Sequence, residues 1–226
     1  MRNLFLALLG SLLLVLASCE KEKRAPIKIR LSSSSAKSSH LTAIDKDSLQ
    51  LKSTSFIKSF EKLMNQISDP KLTTEKRRGF IKNSFTKSSS QIFQDADVII
   101  EDDIDPGFTN GSEDEKNVKV ERYLNDLDLF YDKMEEASIT FTNIQPSEVI
   151  ENEYVFLAIY FESEFKSQNI TIDKPYQKSQ RVATVKAEKV NGNWEPIIVS
   201  VGFYKPEVHT MFDEGKLQKE VVATQP

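Results

Sequence analysis

Carboxylates are the chemistry this chain offers most densely. The run Glu101-Asp102-Asp103-Ile104-Asp105 leads into Pro106-Gly107 and continues through Asn110-Gly111 to Glu113-Asp114-Glu115. Oxygen donors at alternating positions, mixed with Gly and Asn, suit a hard cation such as Ca²⁺, which takes about six to eight oxygens. The spacing departs from the Asp-x-Asp-x-Asp-Gly loop with its closing Glu, because Pro106 and Gly107 fall out of register. The sequence therefore favours a solvated acidic loop, in which Asp102, Asp103, Asp105, Glu113, Asp114 and Glu115 are the candidate cation ligands.

Other reaction types lack their parts. The two histidines, His40 and His209, fall outside the expected domain, so Ser/His/Asp catalysis has no base there. Zinc-ligand spacing is missing, and seven glycines scattered singly build no phosphate cradle. No metal, cofactor or catalytic residue is expected from motifs. Lys76-Arg77-Arg78 has no interleaved aromatics or glycine-rich loop, which argues against a nucleic-acid partner and for a solvated face or pairing with acidic residues.

The only cysteine, Cys19, carries the most specific signal. A basic start at Arg2 leads into an apolar run from Leu4 to Leu16, and small residues follow at Ala17 and Ser18, the anatomy of a signal peptide. The run is shorter than the roughly 20 apolar residues a spanning helix needs. Leu16-Ala17-Ser18-Cys19 resembles the bacterial lipoprotein signal. The resemblance implies that residues 1–18 are removed and that Cys19 receives a diacylglyceryl thioether and becomes the N-terminus. It also implies a place in the cell envelope, at the outer membrane, with the lipid bilayer as partner; Glu20-Lys21-Glu22-Lys23 leaves the periplasmic or surface face open. Several acyl chains anchor durably where a single chain is marginal. One cysteine also excludes an intramolecular disulfide.

Residues 19–43 read as a tether. Six serines lie between Ser32 and Ser39 without helical or strand periodicity, and a random coil of this length spans roughly 25 Å. Its basic residues, Lys21, Lys23, Arg24, Lys28 and Arg30, could lie on anionic head groups. Asp47-Ser48-Leu49 resembles the three-residue O-glycosylation signal of Bacteroidota, which implies Ser48 as an acceptor.

The net charge of -4 hides a division along the chain. Residues 20–90 hold 16 Lys/Arg against 7 Asp/Glu, residues 91–165 hold 4 against 20, and residues 166–226 hold 9 against 7. Hydrophobic content of 39% with fourteen Phe suffices for one core, expected over 44–206, ahead of a weakly patterned tail at 207–226.

Apolar spacing supplies the elements. Phe56, Phe60, Leu63, Met64 and Ile67 share one helical stripe, which Asp69-Pro70 ends. Thr73 or Thr74 caps a second helix with Phe80, Ile81 and Phe85 facing inward. Gln91 to Ile100 reads as a strand. Val120, Leu124, Leu127 and Tyr131 mark a third helix, flanked by Tyr123 and Phe130. The period then changes to 2 over Ile139–Thr142. A long strand from Glu148 to Phe165 is apolar on both sides of its middle and is expected to be covered on both faces. Asn191-Gly192 turns a final hairpin between 181–190 and 194–203.

This order predicts an α+β fold and resembles the nuclear-transport-factor-2-like (cystatin-like) superfamily, in which a strongly curved mixed or antiparallel sheet wraps helices from the N-terminal half into a cone. The likeness rests on element order over about residues 44–206. It implies a cone mouth that can hold an isomerase, cyclase or dehydratase site, bind a ligand, or serve homodimer assembly; fold alone does not choose. Enzymes of that type move protons with Asp paired to His or Tyr. Without a histidine, this chain would use Tyr123 or Tyr160 with Asp97 or Glu162. Two readings follow: a non-catalytic module for an envelope protein, a glycan or a small apolar ligand, and a pocket enzyme using Asp/Glu and Tyr. The missing histidine favours the first.

Overall fold

The structure is a computed structural model and describes residues 41–105, 117–136, 138–171, 176 and 178–206. The leader, Cys19, His40, the acidic trio Glu113, Asp114 and Glu115, and the tail from 207 lie outside the described residues.

The described elements are α1 (Ala43–Ile67), α2 (Thr74–Phe85), β1 (Ile99–Glu101), β2 (Asn117–Lys119), α3 (Val120–Phe130), β3 (Ile139–Pro146), β4 (Ile150–Glu151), β5 (Val155–Phe165), β6 (Ser179–Val190) and β7 (Asn193–Phe203). The fold is α+β, with three helices and a seven-stranded mixed sheet among the described residues. Strand order is β2-β1-β7-β6-β5-β3, with β4 paired to β5. Among the pairings of the described strands only β1–β7 is parallel, joining Ile99 to Ser200 and Ile100 to Val201. The described sheet is open, with β2 and β3 at its edges.

Helix α1 begins well before its predicted apolar stripe because its first turn is capped. Thr42 Oγ1 accepts from the Asp45 N–H at 3.1 Å, and the Asp45 carboxylate accepts from the Thr42 N–H at 3.0 Å. The buried face runs through Leu49, Ser53, Ile57, Phe60, Met64 and Ile67, which leaves Phe56 at its margin. Thr73 caps α2, as expected, by accepting from Lys76 N–H. Arg77 pairs with Asp128 at 2.6 Å, so one member of the basic triplet does meet the acidic middle of the chain.

The helices and the inner sheet face share one core. Phe60 lies 5.2 Å from Phe93 and 5.3 Å from Phe141, which stands 4.7 Å from Phe161, ring centre to ring centre. Close-packed aromatics fill the space between α1 and the long strands.

Three expectations change. The long strand breaks at Asn152–Tyr154 into β4 and β5, which pair with each other. On β5 the inner residues Val155, Leu157, Ile159 and Phe161 are buried, whereas on the opposite face Tyr160 is buried with Val182 and Phe156 and Ala158 are only half-buried. The strand expected from Gln91 contracts to Ile99–Glu101, with Phe93 making a single parallel bridge to Ile198. The short β2 was not expected, since its three residues carry one apolar side chain. The Asn191-Gly192 turn has the positive φ its sequence requires, at 51° and 86°.

Candidate functional site

The chain after β1 turns inward instead of outward. Asp102 and Asp103 are both buried, so the solvated reading of the acidic run fails at its first two aspartates. Burying a carboxylate is costly unless it is paired and hydrogen-bonded, and the fold supplies partners from α3, β5, β6 and the chain before β6.

Asp103 is the centre. Its Oδ1 accepts from Tyr123 OH at 2.9 Å and lies 2.6 Å from Arg181 Nη1; its Oδ2 accepts from Tyr176 OH at 2.8 Å and Ser179 Oγ at 3.1 Å. Tyr176 OH also sits 3.0 Å from Ser163 Oγ on β5. Arg181 is equally engaged. Its Nη2 donates to Glu101 C=O at 2.6 Å, its Nε donates to Gly202 C=O at 3.2 Å, and the guanidinium lies 4.7 Å from the Phe203 ring centre. A delocalised planar cation can serve three acceptors and an aromatic face together, which lysine cannot. Burial alone pushes the Asp103 carboxyl up, but Arg181, Tyr176 and Tyr123 together hold it below the ordinary carboxylate range. Burial and the Asp103 charge push the Tyr123 phenol well above its usual value, so it remains a donor.

Asp102 differs. Its Oδ1 accepts from the Ile104 and Asp105 N–H groups, each at 3.1 Å, closing a turn of the Asx type. Burial, and then the neighbouring Asp103 charge, raise its carboxyl to about 6. Tyr131, at the end of α3, donates to Ile104 C=O and pins the same turn.

The four residues considered for a pocket pair do not assemble. Tyr123 joins Asp103. Asp97 is exposed and pairs with Lys119 at 2.7 Å. Tyr160 lies on the other sheet face with Val182 and Tyr204. Glu162, also on that face, pairs with Lys178 at 2.7 Å. Ser48 is exposed on α1. Among the described residues, no group of three or more His, Cys, Asp or Glu side chains could hold a metal ion. Asp105 is described, whereas Glu113, Asp114 and Glu115 are not.

Arg181, Tyr176, Ser179 and Ser163 were not anticipated from sequence. One signal was available for Arg181: it is in phase with Ala183, Val185 and Ala187, the buried face of β6, where an arginine requires an anionic partner. Nothing comparable marks Tyr176, which acts from outside any strand.

Chemically, the cluster is closed. Both Asp103 oxygens receive two donors each, leaving no acceptor directed at a substrate. Asp102 retains one carboxylate oxygen outside its turn and a near-neutral pKa, the property of a proton-transfer group. No protein-family description matches this chain, and none of the curated proteins or solved structures compared with it matches either.

Proposed function

We propose that this chain is a lipid-anchored cell-envelope protein whose α+β domain is a non-catalytic binding or assembly module. The observation that carries the non-catalytic part is the saturation of the Asp103 carboxylate: both of its oxygens are taken up by Arg181, Tyr123, Tyr176 and Ser179, and Arg181 is itself held by the Glu101 and Gly202 carbonyls. The envelope address rests on Leu16-Ala17-Ser18-Cys19. A nuclear-transport-factor-2-like cone belongs to the same proposal. Register shifts at Thr142/Gln145 and Thr184/Val185 support it, because bulges bend and twist strands.

Cross-linking in intact membranes, followed by identification of what co-purifies, tests the module. The expected result is one reproducible envelope protein or glycan, captured equally well by Tyr123→Phe. Cys19→Ala should move the chain from the membrane to the soluble fraction; retention in the membrane would sink the anchor. The second reading, a pocket enzyme of carboxylate and tyrosine, draws on Asp102 with its carboxyl raised to about 6. It gains if the purified chain converts a small molecule and Asp102→Asn abolishes the conversion.

A further inference from the structure

Apart from Leu51 on α1, the exposed large apolar side chains of the described domain fall at two ends. At one end stand Ile44 (80% exposed), Ile150 (56%) and Val190 (48%). These come from the first turn of α1, from β4 and from the tip of the β6–β7 hairpin. Leu41 N–H donates to the Glu151 carboxylate at 3.2 Å, and Lys52 Nζ on α1 donates to Trp194 C=O at 2.9 Å, so the three elements converge. Half-buried Trp194 and Tyr154 lie on the same hairpin and turn, with Lys189 and Lys186 ammonium groups 5.7 Å and 5.2 Å from their ring centres. At the other end are Leu129, Phe130 and Ile170, where Ile170 N–H donates to Phe130 C=O and Met134 N–H reaches the α1 C-cap at Ser68.

We propose that the Ile44–Ile150–Val190 end docks on a lipid bilayer, with these side chains at the boundary of head groups and acyl chains and Trp194 and Tyr154 at its polar edge. The inference rests on the Cys19 anchor. What selects this end is where the chain enters the domain. Cys19 precedes Leu41 by only 22 positions. Helix α1, at about 1.5 Å per residue, separates the two ends by roughly 37 Å. Leu41, at the start of α1, is the described residue nearest Cys19 in sequence, so the anchored segment joins the domain at this end. Exposed aliphatic residues beside Trp, Tyr and Lys are the composition of an interfacial contact. Charges here are of both signs, Asp45, Asp47 and Glu151 beside Lys46 and Lys189, so apolar contact rather than attraction to anionic lipid holds it.

Trp194 is the chain's only tryptophan, so its fluorescence reports this face alone. The test uses the full acylated chain in phosphatidylcholine vesicles containing lipid spin-labelled near the head group. Trp194 should be quenched, and should stay quenched at about 0.5 M salt, where surface electrostatics are screened. Ile44→Glu with Val190→Glu should lower the docked population at least about tenfold at unchanged far-ultraviolet circular dichroism. Should that pair misfold, Ile44→Ser with Val190→Ser must act in the same direction. A vesicle-bound chain with unquenched Trp194 overturns docking and leaves the anchor standing. A chain that stays in the aqueous phase overturns both. Concentration-dependent cross-linking that shields Trp194 from lipid and from aqueous quencher overturns the bilayer in favour of a second copy.

Discussion

The Asn65 side chain stands in for a missing strand at Ile139. Its Oδ1 accepts from Ile139 N–H at 3.0 Å and its Nδ2 donates to Ile139 C=O at 2.9 Å, the pattern a neighbouring β-residue would make. One turn earlier, Glu61 accepts from Phe141 N–H at 2.7 Å and Lys58 donates to Phe141 C=O at 2.8 Å. Helix α1 thereby closes the outward hydrogen-bonding row of edge strand β3, which would otherwise be a template for another chain. Asn65→Ala should cost about 1–3 kcal/mol, because buried backbone groups lose their partners. It should also raise self-association. Urea denaturation and light scattering check both, and an unchanged midpoint in a monodisperse variant would refute the role.

The Asp103–Arg181 pair should behave as a buried ion pair whose halves cannot be removed singly. Arg181→Met should destabilise by about 3–5 kcal/mol, since it leaves an uncompensated carboxylate in the core. Combining it with Asp103→Leu should recover part of that loss. Denaturant titration of the two single variants and the double variant measures the coupling; additive losses would contradict it.

Asp102 and Asp103 should give opposite pH dependences. Asp102 has a folded-state carboxyl raised from 3.8 to about 6, so the native chain holds its proton more tightly than the unfolded chain. Its favourable contribution is complete below pH 3.8 and is lost as pH rises towards 6, an effect on the order of 3 kcal/mol. Asp103 is lowered, so its contribution is present above the ordinary carboxylate range and lost as pH falls. Asp102→Asn keeps an acceptor for the Ile104 and Asp105 N–H groups while removing the charge. It should stabilise the protein at pH 7 and flatten the dependence between pH 4 and 6. A variant with the parent's pH profile would show that Asp102 does not titrate there.

Calcium should leave thermal stability unchanged. Recruiting Asp103 as a ligand would require breaking its contacts with Arg181, Tyr123, Tyr176 and Ser179. Melting at millimolar Ca²⁺ against chelator is the measurement, and a rise of several degrees would restore the acidic run as a cation site.

The helices were legible because their stripes recur every three or four residues and their caps are local: Thr73 before α2 can be read by eye. The β6–β7 hairpin was legible from Asn191-Gly192. The short strands were not, since β1 and β2 are defined by pairing with distant β7 and with each other rather than by alternation in three residues. The site was legible only at Tyr123 and in the acidic run itself. Asp102 and Asp103 look like any solvated aspartates until Arg181, far along the chain, is brought beside Asp103. Burial of charge is a tertiary property, and its one local trace was an arginine in phase with Ala183 and Val185.

The β1–β7 seam has a consequence for biogenesis. Strand β7 is the sole link between the β2–β1 pair and the β6–β5–β3 group among the described strands. A chain that emerges N-terminus first, from the ribosome or in the export proposed above, delivers β1 long before β7. Until then β1 has no parallel partner, and Arg181 lacks the Gly202 carbonyl and the Phe203 ring that help hold it against Asp103. Completion of the fold is thus tied to arrival of the last strand, so a chain cut short before β7 would expose its unfinished sheet to proteolysis instead of persisting as a partial domain.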